Sequence, residues 1–371
     1  TCVIAASKEA KAMGVRGPMN VMDAKAICPD IALIPQSPDL YVRAHHALMN
    51  AIENILPIAA VCSIDELVCG LDEQQRPRPE ALAHELKTHL ADTVGPYITC
   101  SMGFAPNRQL AKIASDMDKP NGVTIFRPED LPGRLLDLDL TDIPGIGKRM
   151  ARRLWKARIF TVQQLWDTQP KQLRTLWHNV NGERFWYALH GYDIEANLTD
   201  RRMFGHSRVL PPDWRNLGNA RSCARLLLTK AARRMRRAGY LANGLWLSLS
   251  LSGDYWGSQT DLPSVRDDQA CLSGLSRLWE RVLREVPRRA KVKRLSVALC
   301  ELKPASERQL DLLHNDDVER QKWESMTEAL DTLNARYGKT VVSVGPWVQP
   351  PGGYAGGKIA YARIPDDEDF W

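Results

Sequence analysis

Short apolar runs alternate along this chain with longer stretches whose apolar residues recur every three or four positions. The first pattern predicts strands and the second helices. Cys2 to Ala6 predicts a strand and Lys8 to Met13 a helix ending at Gly14. Val21 to Ile27 predicts a short helix closed by Pro29, and Ile31 to Ile34 a short strand. From Tyr41 to Leu56, Ala44, Leu48, Ile52 and Ile55 fall on one face of a helix that Pro57 stops. Two apolar runs, Ile58 to Val61 and Leu67 to Cys69, then flank Ser63-Ile64-Asp65-Glu66. A helix over Pro79 to Val94, a strand over Tyr97 to Met102, a helix opened by Pro106 and a strand over Val123 to Phe126 follow. This order predicts an α+β body with its carboxylates on a central strand.

From Arg127 to Asn197 the period is helical throughout. Phe204 to Leu302 then predicts βαββαβ: strands over Phe204–Val209, Leu245–Leu251, Gly257–Leu262 and Arg294–Leu299, with helices over Asn219–Arg237 and Asp268–Val286. That order is the one of a ferredoxin-like sandwich. In its first helix Ala224, Leu227, Leu228, Ala231 and Met235 share an apolar face, while Lys230, Arg233, Arg234 and Arg237 share another. A last helix over Val318–Tyr337 puts Trp323, Met326, Leu330 and Leu333 on one side, and the tail from Gly345 is rich in Pro and Gly.

Charge sharpens this division. The 371 residues carry a net charge of +6, yet residues 201–300 hold 20 Lys+Arg against 7 Asp+Glu, a net of +13, which leaves −7 for the rest. One basic domain beside a mildly acidic body suits a nucleic-acid grip next to a metal-binding centre. The eight cysteines include no Cys-x-x-Cys pair, which predicts reduced thiols rather than zinc or disulfides. No apolar run approaches the ~20 residues of a membrane helix, and no signal pattern opens the chain. A cytoplasmic protein without membrane partners is the expectation.

Asp65-Glu66 puts two hard oxygen donors at one place, as Mg²⁺ prefers. Alone, the pair reads more readily as a solvated turn. It is followed by Gly103-Phe104-Ala105-Pro106-Asn107-Arg108-Gln109-Leu110-Ala111-Lys112-Ile113-Ala114-Ser115-Asp116-Met117-Asp118-Lys119-Pro120-Asn121-Gly122, and then by Asp142-Ile143-Pro144-Gly145-Ile146-Gly147-Lys148. The last stretch resembles a helix-hairpin-helix, whose glycines let backbone N–H groups approach a phosphate, and Lys148, Arg149, Arg152 and Arg153 add charge.

In that order the three stretches resemble the Y-family, or translesion, DNA polymerases, from about Val3 to about Leu302. The departures at Lys8 and Lys11, where the commoner pattern has Tyr and Arg, resemble the ImpB/MucB/SamB-type branch. The resemblance implies an α+β multidomain fold, a right-hand polymerase with a ferredoxin-like palm. Residues 1–37 would be a remnant of small fingers, 38–126 the catalytic palm, 127–198 a helical thumb with the helix-hairpin-helix, 199–303 the βαββαβ little finger, and 304–371 a tail. The palm's first strand, with a third carboxylate and the residue that excludes ribonucleotides, would lie upstream of Thr1, so this stretch of chain is expected to bind DNA without extending it.

The resemblance also implies template-directed synthesis past damage, with two Mg²⁺ ions, dNTP and primer-template DNA. Asp65 and Glu66 would be catalytic metal ligands. Lys119, Lys8 and Lys11 would contact the triphosphate. Pro144, Gly145, Ile146, Gly147 and Lys148, with Lys230, Arg233, Arg234 and Arg237, would bind DNA. Gln309-Leu310-Asp311-Leu312-Leu313 resembles the short motif that docks bacterial polymerases on the sliding clamp. Two other classes stay open on the residues: a catalytically silent homologue acting as a DNA-binding scaffold, and a helix-hairpin-helix repair nuclease.

Overall fold

Residues 2–194, 201–308, 317–346 and 364–365 are described by a computed structural model of the chain. They fall into two compact units, Thr1–Tyr41 and Val42–Trp371, each with its own core.

In the first unit β1 (Cys2–Val3) pairs antiparallel with β2 (Met19–Asn20). The helix α1 (Lys8–Ala12) begins where the Ser7 hydroxyl accepts from the Ala10 N–H at 3.2 Å, and α2 (Val21–Ile27) where the Asn20 side chain accepts from Met22 at 3.0 Å. Such caps satisfy donors that a helix start leaves open. Ala10, Val15 and Ala24 are buried between these elements. The strand expected over Ile31–Ile34 does not form, and Ile34 is 87% exposed. Pro29 and Pro35 flank it, and proline supplies no ladder donor.

In the second unit the part of α3 (Pro38–Glu53) after Tyr41 buries Ala51 and Ile52 near Leu86 and Leu90 of α4 (Pro79–Thr93). The strands β3 (Ile58–Val61) and β4 (Leu67–Cys69) form an antiparallel hairpin. Next, β5 (Met102–Phe104) pairs in parallel with β6 (Val123–Ile125), and α5 (Arg108–Met117) makes the crossover that parallel strands require. The expected strand over Tyr97–Met102 therefore starts only at its last residue. Pro96 and a turn precede it, and Tyr97 is 95% exposed.

These strands make two separate two-stranded sheets, so one continuous ferredoxin-like palm sheet is not assembled among the described residues. Strands of three or four residues carry few ladder bonds, and burial on α4 and α5 holds them instead. Gly103 shows how closely α5 lies on β5: a Cβ there would sit 2.0 Å from the Ala111 carbonyl oxygen.

Leu110, Ile113 and Ala114 of α5 share a core with Phe126, with two short 3-10 turns through Leu135 and Leu140, and with four helices. Those are α6 (Lys148–Lys156), α7 (Val162–Trp166), α8 (Pro170–Trp177) and α9 (Val180–Leu189). The block that sequence assigns to the palm thus packs on the helical region after it.

The basic region has the predicted element order: β7 (Met203–Val209), α10 (Leu217–Arg237), β8 (Tyr240–Leu251), β9 (Tyr255–Val265), α11 (Asp268–Glu285) and β10 (Val292–Pro304). Its sheet is antiparallel throughout, in the order β7-β10-β8-β9. The central pair is the fourth and second strands, where a ferredoxin-like sheet centres the first and third. The element order holds and the sheet order is permuted. Leu245, Leu247, Leu295 and Val297 are buried with Leu227 and Leu228 of α10 and Leu275 and Leu278 of α11. Each such side chain is worth about 1.5–3 kcal/mol. Then α12 (Asp317–Tyr337), expected as part of a separate tail, docks on this domain through the ion pairs described below.

Candidate functional site

Asp65 and Glu66 sit in the turn of the β3–β4 hairpin, not on a central strand. The turn is closed from its own backbone. The Cys62 and Ser63 N–H groups both donate to the Glu66 carbonyl, at 2.8 and 3.0 Å. The Ser63 hydroxyl donates to Asp65 Oδ1 at 2.6 Å and accepts from the Asp65 N–H at 3.3 Å. Nδ1 of the buried His45 lies 2.8 Å from the Ile64 carbonyl oxygen. A carbonyl only accepts, so that nitrogen carries the proton. These bonds hold two adjacent carboxylates at a partly exposed corner.

The helix α5 brings cations to that corner. Asn107 caps it, accepting from the Leu110 N–H at 2.9 Å, and its amide donates to the Ala188 and Tyr192 carbonyls at 2.7 and 2.9 Å. Lys112 reaches Glu66 Oε1 at 2.5 Å and Asp116 Oδ2 at 3.0 Å. Lys119 pairs with Asp116 Oδ1 at 2.6 Å. Burial pulls the Lys112 ammonium down, but its hydrogen bonds to Glu66 and Asp116 outweigh this, so its pKa stands above the ordinary value. Burial likewise pushes the Asp116 carboxyl up, while Lys119 and Lys112 bring it below its usual range. The Lys119 turn is pinned by Lys87, whose ammonium donates to the Asn121 carbonyl at 2.5 Å. Beside it Asp118 accepts from both Arg134 guanidinium nitrogens at 3.1 Å and from the Thr124 hydroxyl at 2.5 Å.

In sequence Lys112 stands inside the long block with nothing beside it to mark a role. The signal within reach was its i,i+4 spacing to Asp116. Its partner Glu66 is 46 residues away and only the fold reveals it.

The Pro144-Gly145-Ile146-Gly147 turn follows a single 3-10 turn, Leu140–Asp142, rather than a full helix, and leads into α6. Ile143 and Ile146 anchor it in the core. Gly145 has φ +101°, a backbone conformation open mainly to glycine. Gly147 caps α6, and a Cβ there would meet nothing within 4 Å, so this side of the turn is open. Lys148 and Arg149 are exposed at the start of α6.

The basic stripe of α10 lies differently from the expected solvent-facing grip. Lys230 is 7% exposed. Arg233 and Arg236 face α12, where Asp331 takes Arg236 Nε at 2.7 Å and Arg233 Nε at 3.4 Å. Arg236 also binds Asp268 at 2.8 Å with its side chain 5% exposed. Arg234 donates to the Gly205 carbonyl at 3.0 Å, and Arg237 is exposed. Arg266–Glu328 and Arg308–Glu324 complete the seam with α12, at 2.6 and 2.7 Å.

Sequence models of the impB/mucB/samB family match residues 1–116, and those of its C-terminal domain match residues 201–312. The chain is 31% identical over 348 residues to DNA polymerase IV of Moorella thermoacetica, covering 92% of this chain and 85% of that protein. To DNA polymerase IV 1 of Halalkalibacterium halodurans it is 28% identical over 354 residues, covering 92% and 83%. The chain belongs to the Y family of translesion DNA polymerases.

Solved Y-family structures share its fold. A Dbh-Dpo4-Dbh Y-family polymerase chimera superposes with a TM-score of 0.66 at 24% identity, covering 81% of this chain and 87% of that one. An insertion ternary complex of Dbh DNA polymerase superposes with a TM-score of 0.51, also at 24% identity, covering 79% and 85%. The family match removes the nuclease reading. In this Y-family chain Lys8 and Lys11 stand exposed on α1 of the first unit. Gln309 to Leu313 lie outside the described residues. Among the described residues no group of three or more His, Cys, Asp or Glu side chains is gathered to hold a metal ion, and no helix is long and apolar enough to cross a membrane.

Proposed function

We propose that the β3–β4 turn is where template-directed nucleotidyl transfer from dNTP to a primer 3′-hydroxyl, across damaged template, takes place. The observation that carries the reading is the meeting of Asp65 and Glu66 with Lys112, Asp116 and Lys119 on and just after α5.

The donor set fits a divalent cation. Both groups are hard carboxylate oxygens on one rigid turn, and Glu66 already takes a cationic partner, the Lys112 ammonium. Asp65 and Glu66 would hold Mg²⁺. When bound, a pair of such ions activates the attacking hydroxyl and offsets charge on the transferred phosphoryl group. The chain's own groups do the rest. Ser63 fixes one Asp65 oxygen and leaves the other for a ligand. Lys119, 55% exposed, can leave Asp116 to neutralise a triphosphate.

The open side of Gly147 and the first N–H groups of α6, with Lys148 and Arg149, suit a DNA phosphate. Because Arg233 and Arg236 are engaged with α12, we assign the little-finger grip to Arg237 and to the sheet face opposite the helices. Ser207, Ser296 and Ser248 line that face in register, with Gly205 two residues along and Arg294 exposed beside them. Small side chains admit close backbone approach. On this reading residues 1–37 act as fingers, 38–126 as palm, 127–198 as thumb and 199–303 as little finger. Gln309 to Leu313 dock on a sliding clamp.

Filter binding of primer-template DNA across 50–200 mM salt tests the grip: six to ten phosphate contacts predict a loss of about 10³–10⁵ in affinity. A flat salt response contradicts it. Alanine at Gln309, Leu312 and Leu313 should remove capture of the clamp, and undiminished capture would assign the pentamer to a linker.

A further inference from the structure

Four charged side chains form an unbroken line across the site. Glu66 meets Lys112 at 2.5 Å, Lys112 meets Asp116 at 3.0 Å, and Asp116 meets Lys119 at 2.6 Å. The signs alternate, so each inner residue divides itself between two partners of opposite charge. Lys112 serves two carboxylates and Asp116 serves two ammoniums. When one outer partner leaves, the inner residue is drawn toward the partner it keeps.

We propose that this line couples the nucleotide to the metal: a triphosphate that engages Lys119 leaves Asp116 to Lys112, draws Lys112 off Glu66 and frees that carboxylate for a divalent cation. Lys112 and Asp116 are then positioning residues, and neither touches the reacting atoms. The inference rests on the reading of Glu66 as a metal ligand and Lys119 as a triphosphate contact.

The geometry suits an exchange. Lys112 and Asp116 are one turn apart on α5, and Lys119 lies just past its end. A short side-chain rotation can therefore shift Lys112 from Glu66 to Asp116 without moving the helix. The side chains of Lys112, Asp116 and Glu66 are 31%, 32% and 38% exposed. Pairs this exposed are cheap to break, whereas fully buried ones are not. Charge supplies the direction. Without a metal, Lys112 offsets the repulsion between the adjacent Asp65 and Glu66 carboxylates. With a divalent cation present, an ammonium on Glu66 would be an added positive charge beside it. Linkage makes the effect mutual, so a cation at Glu66 also favours release of Lys119 to the triphosphate.

Inorganic tripolyphosphate in excess chelator probes the nucleotide arm alone. The readout is the side-chain NMR resonance of Lys112, assigned by its loss in Lys112→Gln. In the wild-type chain tripolyphosphate should shift that resonance. In Asp116→Asn the resonance should stay still while tripolyphosphate still binds.

A second measurement uses the free Mg²⁺ needed for half-maximal single-turnover extension by the full gene product. Between limiting and saturating dNTP it should fall about fivefold in the wild type, the low end of ordinary coupling between sites. It should not change in Asp116→Asn or in Lys112→Gln, with melting temperatures taken alongside to check that both fold. A Lys112 resonance that ignores tripolyphosphate, or full coupling in either variant, overturns the line. If Lys119→Ala leaves tripolyphosphate affinity unchanged, the reading of Lys119 itself fails, and the proposal falls with it.

Discussion

The Gln109 side-chain amide donates to the Pro144 carbonyl at 2.8 Å, tying the second residue of α5 to the glycine turn ahead of α6. One helix thus touches both halves of the function. Its lysine reaches the carboxylate corner, and its glutamine holds the turn proposed to grip the DNA backbone.

Gln109→Ala should therefore loosen the grip before the chemistry. We expect a stability loss of about 0.5–1.5 kcal/mol, the worth of one such hydrogen bond. DNA affinity should fall a few-fold with extension per bound complex unchanged. Denaturant melts and filter binding measure the two, and an unchanged affinity would mean that the turn is held by Ile143 and Ile146 alone.

Asp118 gives a pH signature. Hydrogen bonds from Arg134, then Thr124, hold its carboxyl below the ordinary range. A lowered folded pKa contributes stability above the unfolded value of about 3.9 and loses it as pH falls through the folded value. The stability difference between wild type and Asp118→Asn should thus be present at pH 7 and shrink below about pH 4. A difference that does not shrink at all as the pH falls below 4 would show that the carboxyl's charge is not what Arg134 and Thr124 stabilise.

The local elements were legible because period and punctuation act over a few residues. The α5 start, the β3–β4 hairpin and the βαββαβ order follow from apolar spacing with proline, glycine and asparagine at the breaks. What was hidden is long-range. Arg233 reads as solvent-facing because its acidic partner, Asp331, lies about a hundred residues on, in a helix that reads as tail. Glu319, Glu324, Glu328 and Asp331 recur along that helix at roughly helical spacing, which was the available hint. Sheet order in the little finger was equally out of reach, since the β10–β7 and β10–β8 pairings join residues far apart in the chain.

The α12 seam predicts a large stability effect away from the active corner. Asp331→Ala removes one of the two carboxylates that face Arg236, whose side chain is 5% exposed. Arg236 keeps Asp268, so the loss should be about 1.5–3 kcal/mol, the worth of a hydrogen bond to a charged group, and not that of a stranded buried charge. Urea melts should record that loss, and adding Arg236→Met in the same chain should lower stability further, because it leaves the buried Asp268 carboxylate without its guanidinium. A loss under 1 kcal/mol for Asp331→Ala would mean that α12 is held on the domain by something other than this pair.

The central claim is that Asp65 and Glu66 at the hairpin turn carry nucleotidyl transfer. Its most direct test is primer extension by Asp65→Ala and Glu66→Ala in the full gene product, run beside DNA binding on the same preparations. Both substitutions should abolish extension and leave DNA affinity within a few-fold of wild type, because they remove metal ligands and not phosphate contacts. Extension near the wild-type rate in either variant would contradict the account.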